Sequence, residues 1–316
     1  MNYSIIVPFY NEEKNVSQLN KEIIEVLKIY FKEAIRKFEI IYVDDCSKDK
    51  TFEELKLTIN NQFKTRIIKH KKNLSQSSAL FTGITLSSYN NLIFLDGDCQ
   101  NDPRDIGKMI EIYETGYDMV SGWRRFRKDN FFSRTLPSKL ANFFVRVFTK
   151  SKLHDHGCSL KILKKDIIDY KISWGDFHRL LSARISFDNW KIKEIEVNHR
   201  PRIHGTSNYS MNRVFRVLID LIYINFFRSS GRPTIYFFGK FGLWSFFASL
   251  ITFLAMIYNK IYKGVDLDGT PLPILIVFFI FMGFLFLFIG LIAQLIINKD
   301  TKKDSIEENI AEKLEN

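Results

Sequence analysis

Leu92-Ile93-Phe94-Leu95-Asp96-Gly97-Asp98 is a short apolar run that ends in two carboxylates one residue apart. Continuous apolar residues bounded by turn formers are the pattern of a strand buried on both faces, and such strands belong to parallel sheets covered by helices. Working outward, residues 4–7, 39–43, 66–69 and 118–121 read as further strands. Between them, residues 13–31 carry Val16, Leu19, Ile23, Val26, Leu27 and Tyr30 at helical spacing, and 75–87 and 104–113 read as further helices. The alternation predicts an α/β domain on a mostly parallel sheet, with ligands at the carboxyl ends of its strands. Pro8 is expected to stop the first ladder before a tight loop through Tyr10 and Glu12. No internal repeat is visible.

The 316 residues include 46 Lys and Arg against 35 Asp and Glu, a net charge of +11 that calls for an anionic partner. Thirty Phe and 46% hydrophobic residues exclude a disordered chain. With mean hydropathy near zero, apolar and charged stretches must be segregated. Three cysteines, Cys46, Cys99 and Cys158, with no C-x-x-C pair, exclude a disulfide framework and a structural zinc site; small buried thiols are expected. The N-terminus lacks a signal-peptide pattern, so the chain is expected to begin in the cytosol.

Composition changes after about residue 209. Residues 211–228 alternate Arg213, Arg216 and Arg228 with apolar residues, as suits a helix in a membrane interface. Residues 241–258 and 271–298 are uncharged runs of about 18 and 28, close to or beyond the roughly 20 residues that a spanning helix needs. The expected organisation is a catalytic domain over 1–209, a juxtamembrane helix over 210–233, spans over 234–258 and 271–298, an extracytoplasmic loop over 259–270 and a cytoplasmic tail over 299–316. The tail mixes Lys and Glu and reads as a helix packing on a neighbour or as a disordered end. Arg228, Arg232 and Lys240 flank the first span, which by the positive-inside rule puts the large domain in the cytoplasm.

The pair Asp96 and Asp98 offers hard oxygen ligands, which suit Mg2+ or Mn2+ completed by phosphate oxygens and water. A D-x-D alone also describes a solvated acidic turn; its place directly after a buried-type strand favours the site. Asp44-Asp45 closes another strand, where carboxylates can accept from a base or ribose, or Asp45 can cap the next helix. The basic run Arg124-Arg125-Phe126-Arg127-Lys128 suits a phosphate clamp or a headgroup-facing loop, and no nucleic-acid-binding motif accompanies it. His154 and His156 lack a third ligand at zinc spacing and read as surface histidines.

Residues 7–13 (VPFYNEE), 43–51 (VDDCSKDKT), 73–84 (NLSQSSALFTGI), 94–103 (FLDGDCQNDP) and 199–210 (HRPRIHGTSNYS), in this order and ahead of two spans, strongly resemble family 2 glycosyltransferases of the polyprenyl-phosphate type. The resemblance covers nearly the whole chain to about residue 298. It implies a GT-A fold and an inverting transfer of one sugar from a nucleotide sugar, UDP-linked by preference, to undecaprenyl or dolichyl phosphate, giving a β-linked product. It further implies that Pro8, Tyr10, Glu12, Asp44, Asp45, Asp96, Asp155, Arg202 and Ser207 bind the nucleotide sugar. Asp96, Asp98 and Gln100 would hold the metal, Asp98, Gln100 and Arg124 would be catalytic, and Arg124, Arg134, Ser138 and Arg200 would receive the acceptor phosphate. Asn208 departs from the family's usual lysine after the serine, and Asp176 stands where Glu is common. The expected setting is the bacterial inner membrane, with self-association left open. The alternatives are a processive polysaccharide synthase, whose Q-x-x-R-W segment and additional spans are missing, and a catalytically silent scaffold.

Overall fold

The computed structural model describes residues 1–31, 37–59, 63–125, 151–168, 177–186, 190–201, 234–266, 269–299 and 309–315, with isolated helical positions from 143 to 149. Residues 1–221 and 305–316 form one compact unit and 222–304 a second.

In the first unit the elements are β1 (Tyr3–Phe9), α1 (Glu13–Phe31), β2 (Phe38–Asp44), α2 (Thr51–Lys56), β3 (Lys64–His70), α3 (Gln76–Leu86), β4 (Asn91–Phe94), α4 (Asp105–Glu114), β5 (Met119–Trp123), β6 (Lys161–Lys164), α5 (Phe177–Ile185), β7 (Ile192–Glu196) and, past the second unit, β8 (Ile310–Glu315). The sheet order is β7-β5-β6-β4-β1-β2-β3-β8. Strands β1 to β4 are mutually parallel, whereas β6 runs antiparallel to β4 and β5, and β8 antiparallel to β3. The fold is therefore the expected α/β domain on a mixed, largely parallel sheet.

Every residue of β1 and β2 is buried, which explains why neither shows a polar alternation. On one face α1 lays down Val16, Leu19, Ile23, Val26 and Leu27, each worth ~1.5–3 kcal/mol of apolar burial. Pro8 does not stop the β2 ladder, which runs on through Phe9↔Asp44. Ile6 O accepts from Leu95 N on the β4 side and Phe9 O from Asp45 N on the β2 side, so alternation turns Pro8 toward β4. Pairing there ends at Ile6↔Phe94, and the missing N–H leaves no ladder bond unmade. After β3 the chain returns to the opposite side of β1 to make β4. The strand order thus reverses between β1 and β4, the place where open α/β sheets hold ligands.

The tail differs from its expectation. Residues 310–315 form the edge strand β8, tied to β3 by ladder bonds and by ion pairs Arg66–Glu315 (3.1 Å) and Lys56–Glu312 (3.4 Å), and Lys71 N donates to Asn309 O (2.9 Å).

The second unit holds α6 (Thr234–Lys263) and α7 (Leu272–Lys299). Both are long and apolar enough to cross a membrane. They pack closely: a Cβ at Gly283 would meet the Phe246 ring at 2.5 Å, and Ser249 Oγ donates to Ile276 O across the pair. Leu243, Trp244, Ile274 and Val277 are left two-thirds or more exposed, an arrangement suited to lipid. The segment read as an interfacial helix, 211–228, lies outside the described residues.

Candidate active site

The turn after β4 carries Asp96 and Asp98. Gln76, at the start of α3, donates from Nε2 to Asp96 Oδ1 (2.6 Å), and Gln100 N donates to Asp98 Oδ1 (3.1 Å). Burial, followed by the neighbouring Asp98, raises the Asp96 carboxyl to about 6, with Ser159, Arg124 and Lys161 acting the other way. Two like charges forced together in a desolvated turn fit a hard divalent cation, which would offset both. Among the described residues no group of three or more His, Cys, Asp or Glu converges, so the ion's other positions would fall to amide, water or phosphate oxygens.

Gly97 is required by space: a Cβ there would lie 2.6 Å from the Phe9 ring and 2.9 Å from Pro8 O. Gly97→Ala is expected to cost ~1–3 kcal/mol through overpacking and to push the two carboxylates out of register. A lowered melting temperature together with reduced metal binding checks this.

The loops after β1 and β2 are laced together. Asn11 N donates to Ser47 Oγ (2.9 Å), Glu12 N to Thr51 Oγ1 (2.8 Å), Lys48 N to Asn11 Oδ1 (2.8 Å) and Lys50 N to Glu13 Oε2 (3.1 Å). Asp44 accepts from Ser47 through Oδ1, while its buried Oδ2 has no partner; desolvation raises its pKa. That orphaned acceptor, with exposed Tyr10 directly after Phe9, the strand partner of Asp44, is the chemistry that a base or ribose N–H or O–H would satisfy.

Asp45 is engaged differently from its neighbour. Its carboxylate accepts from His70 Nδ1 (2.8 Å), Leu74 N (3.0 Å) and Ser75 N (2.8 Å), and His70 Nε2 meets Thr82 Oγ1 (2.9 Å). Because a carboxylate only accepts, Nδ1 is the donor in the His70–Asp45 contact. Four non-glycine residues have positive φ among the described residues: Asn11 (54°), Cys46 (61°), Ser75 (120°) and Cys99 (57°). All follow β1, β2 or β4 or precede α3, so backbone strain is concentrated around the crevice.

Across the switch point, Arg124 donates from Nε to Asp155 Oδ2 (2.8 Å) and from Nη2 to Asp155 Oδ1 (3.0 Å), a buried bidentate pair. Gly157 N also donates to Asp155 (3.1 Å), and Asp155 N donates to Glu194 (2.9 Å). Lys161, 1% exposed, donates to the Cys158 and His156 carbonyls, and desolvation lowers its pKa. Of the two histidines expected at the surface, His154 is exposed and His156 is buried. His154 stacks on Trp123 at 4.5 Å and bonds Glu194 (2.7 Å), while His156 is 2% exposed, contacts Ser182 and is pushed down to about 4 by burial. Cys99 and Cys158 are buried thiols raised to about 12 and about 11 by desolvation, so neither is an activated nucleophile; Cys46 is half-buried.

Arg200 is held by carboxylates rather than left open for a phosphate: Nη1 donates to both Glu22 oxygens (2.9 and 2.7 Å) and Nη2 approaches Asp102 Oδ1 at 2.8 Å. Gln100 Nε2 donates to Arg200 O (3.4 Å). Arg134, Ser138, Arg202, Ser207, Asn208 and Asp176 lie outside the described residues. Sequence reasoning missed Gln76, His70, Lys161, Glu194 and Glu22, although Gln76 falls inside a quoted motif.

The model of glycosyl transferase family 2 matches residues 4–170. A dodecaprenyl-phosphate galacturonate synthase of Rhizobium johnstonii is 33% identical over 298 residues, covering 93% of this chain and 87% of that protein. An undecaprenyl-phosphate 4-deoxy-4-formamido-L-arabinose transferase of Pseudomonas fluorescens is 30% identical, covering 92% and 84%. Among solved structures, glucosyl-3-phosphoglycerate synthase of Mycobacterium tuberculosis, in complex with Mn2+, UDP-glucose and phosphoglyceric acid, superposes with a TM-score of 0.53 at 14% identity, covering 72% of this chain and 80% of that one, a likeness of fold. The chain belongs to glycosyl transferase family 2, similar over nearly its whole length to polyprenyl-phosphate sugar transferases.

Proposed function

We propose that this protein transfers one sugar from a nucleotide sugar, UDP-linked by preference, to the phosphate of a polyprenyl lipid, undecaprenyl or dolichyl, with inversion to a β-linked product. The observation that carries this reading is the Asp96–Asp98 pair at the switch point of a family 2 fold whose chain also carries two helices of spanning length. The relatives named for galacturonate and formamido-arabinose transfer to polyprenyl phosphates support the acceptor class.

Each residue then has a task. Asp44 accepts a hydrogen bond from a base N–H or ribose O–H with its orphaned oxygen, and Asp45 holds residues 74–75 beside it through their amides. Pro8, Tyr10 and Glu12 line the same loop system. Asp96 and Asp98, with Gln100, would hold Mg2+ or Mn2+, which supplies charge neutralisation of the leaving diphosphate when bound. Asp155 fixes the plane of the Arg124 guanidinium, presenting a pre-oriented fork to the attacking phosphate, with Arg134 and Ser138 adding to that clamp. A phosphate monoester, with a second pKa of about 6, is largely ionised at neutral pH and needs no strong base. Arg202 and Ser207 would contact the donor diphosphate.

That β8 belongs to the same sheet as the N-terminal strands supports the reading of two crossings between them. The basic flank of the first span supports a cytoplasmic placement of the catalytic domain.

Transfer is tested with the full chain in detergent, Mn2+ or Mg2+ and a panel of UDP- and GDP-sugars, with and without undecaprenyl phosphate. Nucleotide release that requires the lipid phosphate is expected; equal release without it contradicts the acceptor assignment.

Metal binding should also follow pH. Because folding raises the Asp96 carboxyl from 3.8 to about 6, the metal-free protein loses stability as pH rises between those values and then levels off. A cation competes with the Asp96 proton, so stabilisation by Mn2+ is full above about 6 and disappears as pH falls through it. Melting curves with and without Mn2+ across that window check the sign.

A further inference from the structure

We propose that Arg200 is a positioning residue, which rests on the proposed transfer reaction: it fixes the turn bearing Asp98 and Gln100 against α1 and does not itself bind the acceptor phosphate. Three segments far apart in the chain meet at its guanidinium. Nη1 takes both oxygens of Glu22, on α1, and Nη2 lies 2.8 Å from Asp102 Oδ1, at the far end of the turn from Asp96. Asp102 also organises the start of α4, accepting from Arg104 N at its side chain (3.1 Å) and from Asp105 N at its carbonyl (3.1 Å). The backbone reinforces the tie. Arg200 N donates to Gln100 O (2.8 Å), Gln100 Nε2 donates back to Arg200 O, and Asn101 bridges His199 in antiparallel sense.

Two consequences follow. One cation with two carboxylates has a net charge of −1, which repels a phosphate dianion, so the trio is a poor acceptor site. The turn, in contrast, needs such a restraint. Cys99, between Asp98 and Gln100, holds φ at 57°, a conformation that a non-glycine residue keeps only where its surroundings over-determine it. Releasing the Gln100–Asp102 end would let Cys99 relax and carry Asp98 away from Asp96.

The test compares the full chain in detergent with its Arg200→Met, Glu22→Gln and Arg200→Met/Glu22→Gln variants. Mn2+ with UDP, without lipid, reports metal and nucleotide affinity, and steady-state assays separate kcat from KM for undecaprenyl phosphate. Each single variant is expected to weaken Mn2+–UDP binding and lower kcat by roughly 10- to 100-fold with the lipid KM unchanged, the double variant being no worse than either single. A raised lipid KM in Arg200→Met alone, with Glu22→Gln like the parent, would make Arg200 a phosphate ligand and overturn the proposal. So would a lowered melting temperature with Mn2+–UDP affinity and kcat intact, the result for a merely structural ion pair. If the parent itself binds no Mn2+–UDP, the transferase reading fails instead.

Discussion

Asp98→Asn is expected to fold as the parent does and to transfer sugar roughly 10²–10³-fold more slowly, the loss typical when one group that stabilises transition-state charge is removed. The fold should survive because Asn Oδ1 can still accept from Gln100 N and occupies the same volume. The charge is what disappears. With one carboxylate gone, the remaining Asp96 no longer has a like-charged neighbour raising its pKa, and it titrates closer to an ordinary aspartate. Turnover should therefore fall together with Mn2+ affinity, while the metal-free melting temperature holds or rises. Activity close to the parent's would show that the pair is a solvated acidic turn, and the site would have to be sought elsewhere.

Asp155→Ala has the largest expected effect on stability. The Arg124–Asp155 pair is buried on both sides, with side chains 10% and 5% exposed, and Lys161 lies close enough to feel the same charges. Removing only the carboxylate leaves Arg124 without its bidentate partner inside the protein, a loss of ~3–5 kcal/mol. For a domain of this size that is a fall in melting temperature of roughly 6–20 °C. The double variant Arg124→Met/Asp155→Leu should recover much of it, because exchanging a whole buried pair for packed apolar groups is often neutral. Its activity should nevertheless stay low, since the fork aimed at the acceptor phosphate is gone. Thermal melts and turnover on the parent and the two variants separate the two effects; a double variant as unstable as Asp155→Ala would mean that the pair is not the source of the loss.

Elements buried on both faces were the legible part of this chain. β1, β2 and β4 announce themselves by the apolar runs 5–7, 40–43 and 92–95, and the acidic pairs Asp44-Asp45 and Asp96/Asp98 stand at the ends of two of them. β8 stayed hidden because Ile310-Ala311-Glu312-Lys313-Leu314-Glu315 is an edge strand whose mixed charges also suit a helix; its ion pairs to Arg66 and Lys56 appear only once the chain has folded back. β6 is short and contains a fully buried lysine, which breaks the hydrophobic pattern. Within the site, residue types were readable and partners were not. Asp44 and Asp45 are adjacent in sequence, yet one keeps an orphaned oxygen while the other is consumed by His70 and two amides. Arg200 looked like a phosphate ligand because its carboxylate partner Glu22 stands 178 residues away. His156 read as a surface residue for the same reason, its neighbour Ser182 being contributed by a distant helix.

The central claim, that one sugar moves to a polyprenyl phosphate, is tested most directly by mass spectrometry and NMR of the lipid recovered after incubation with the accepted nucleotide sugar and metal. The account predicts a single added sugar on the phosphate, β-linked, at every extent of reaction, and none with Asp98→Asn. A ladder of added sugars would indicate a processive synthase, and unchanged lipid despite donor and metal binding would indicate a scaffold; either result contradicts it.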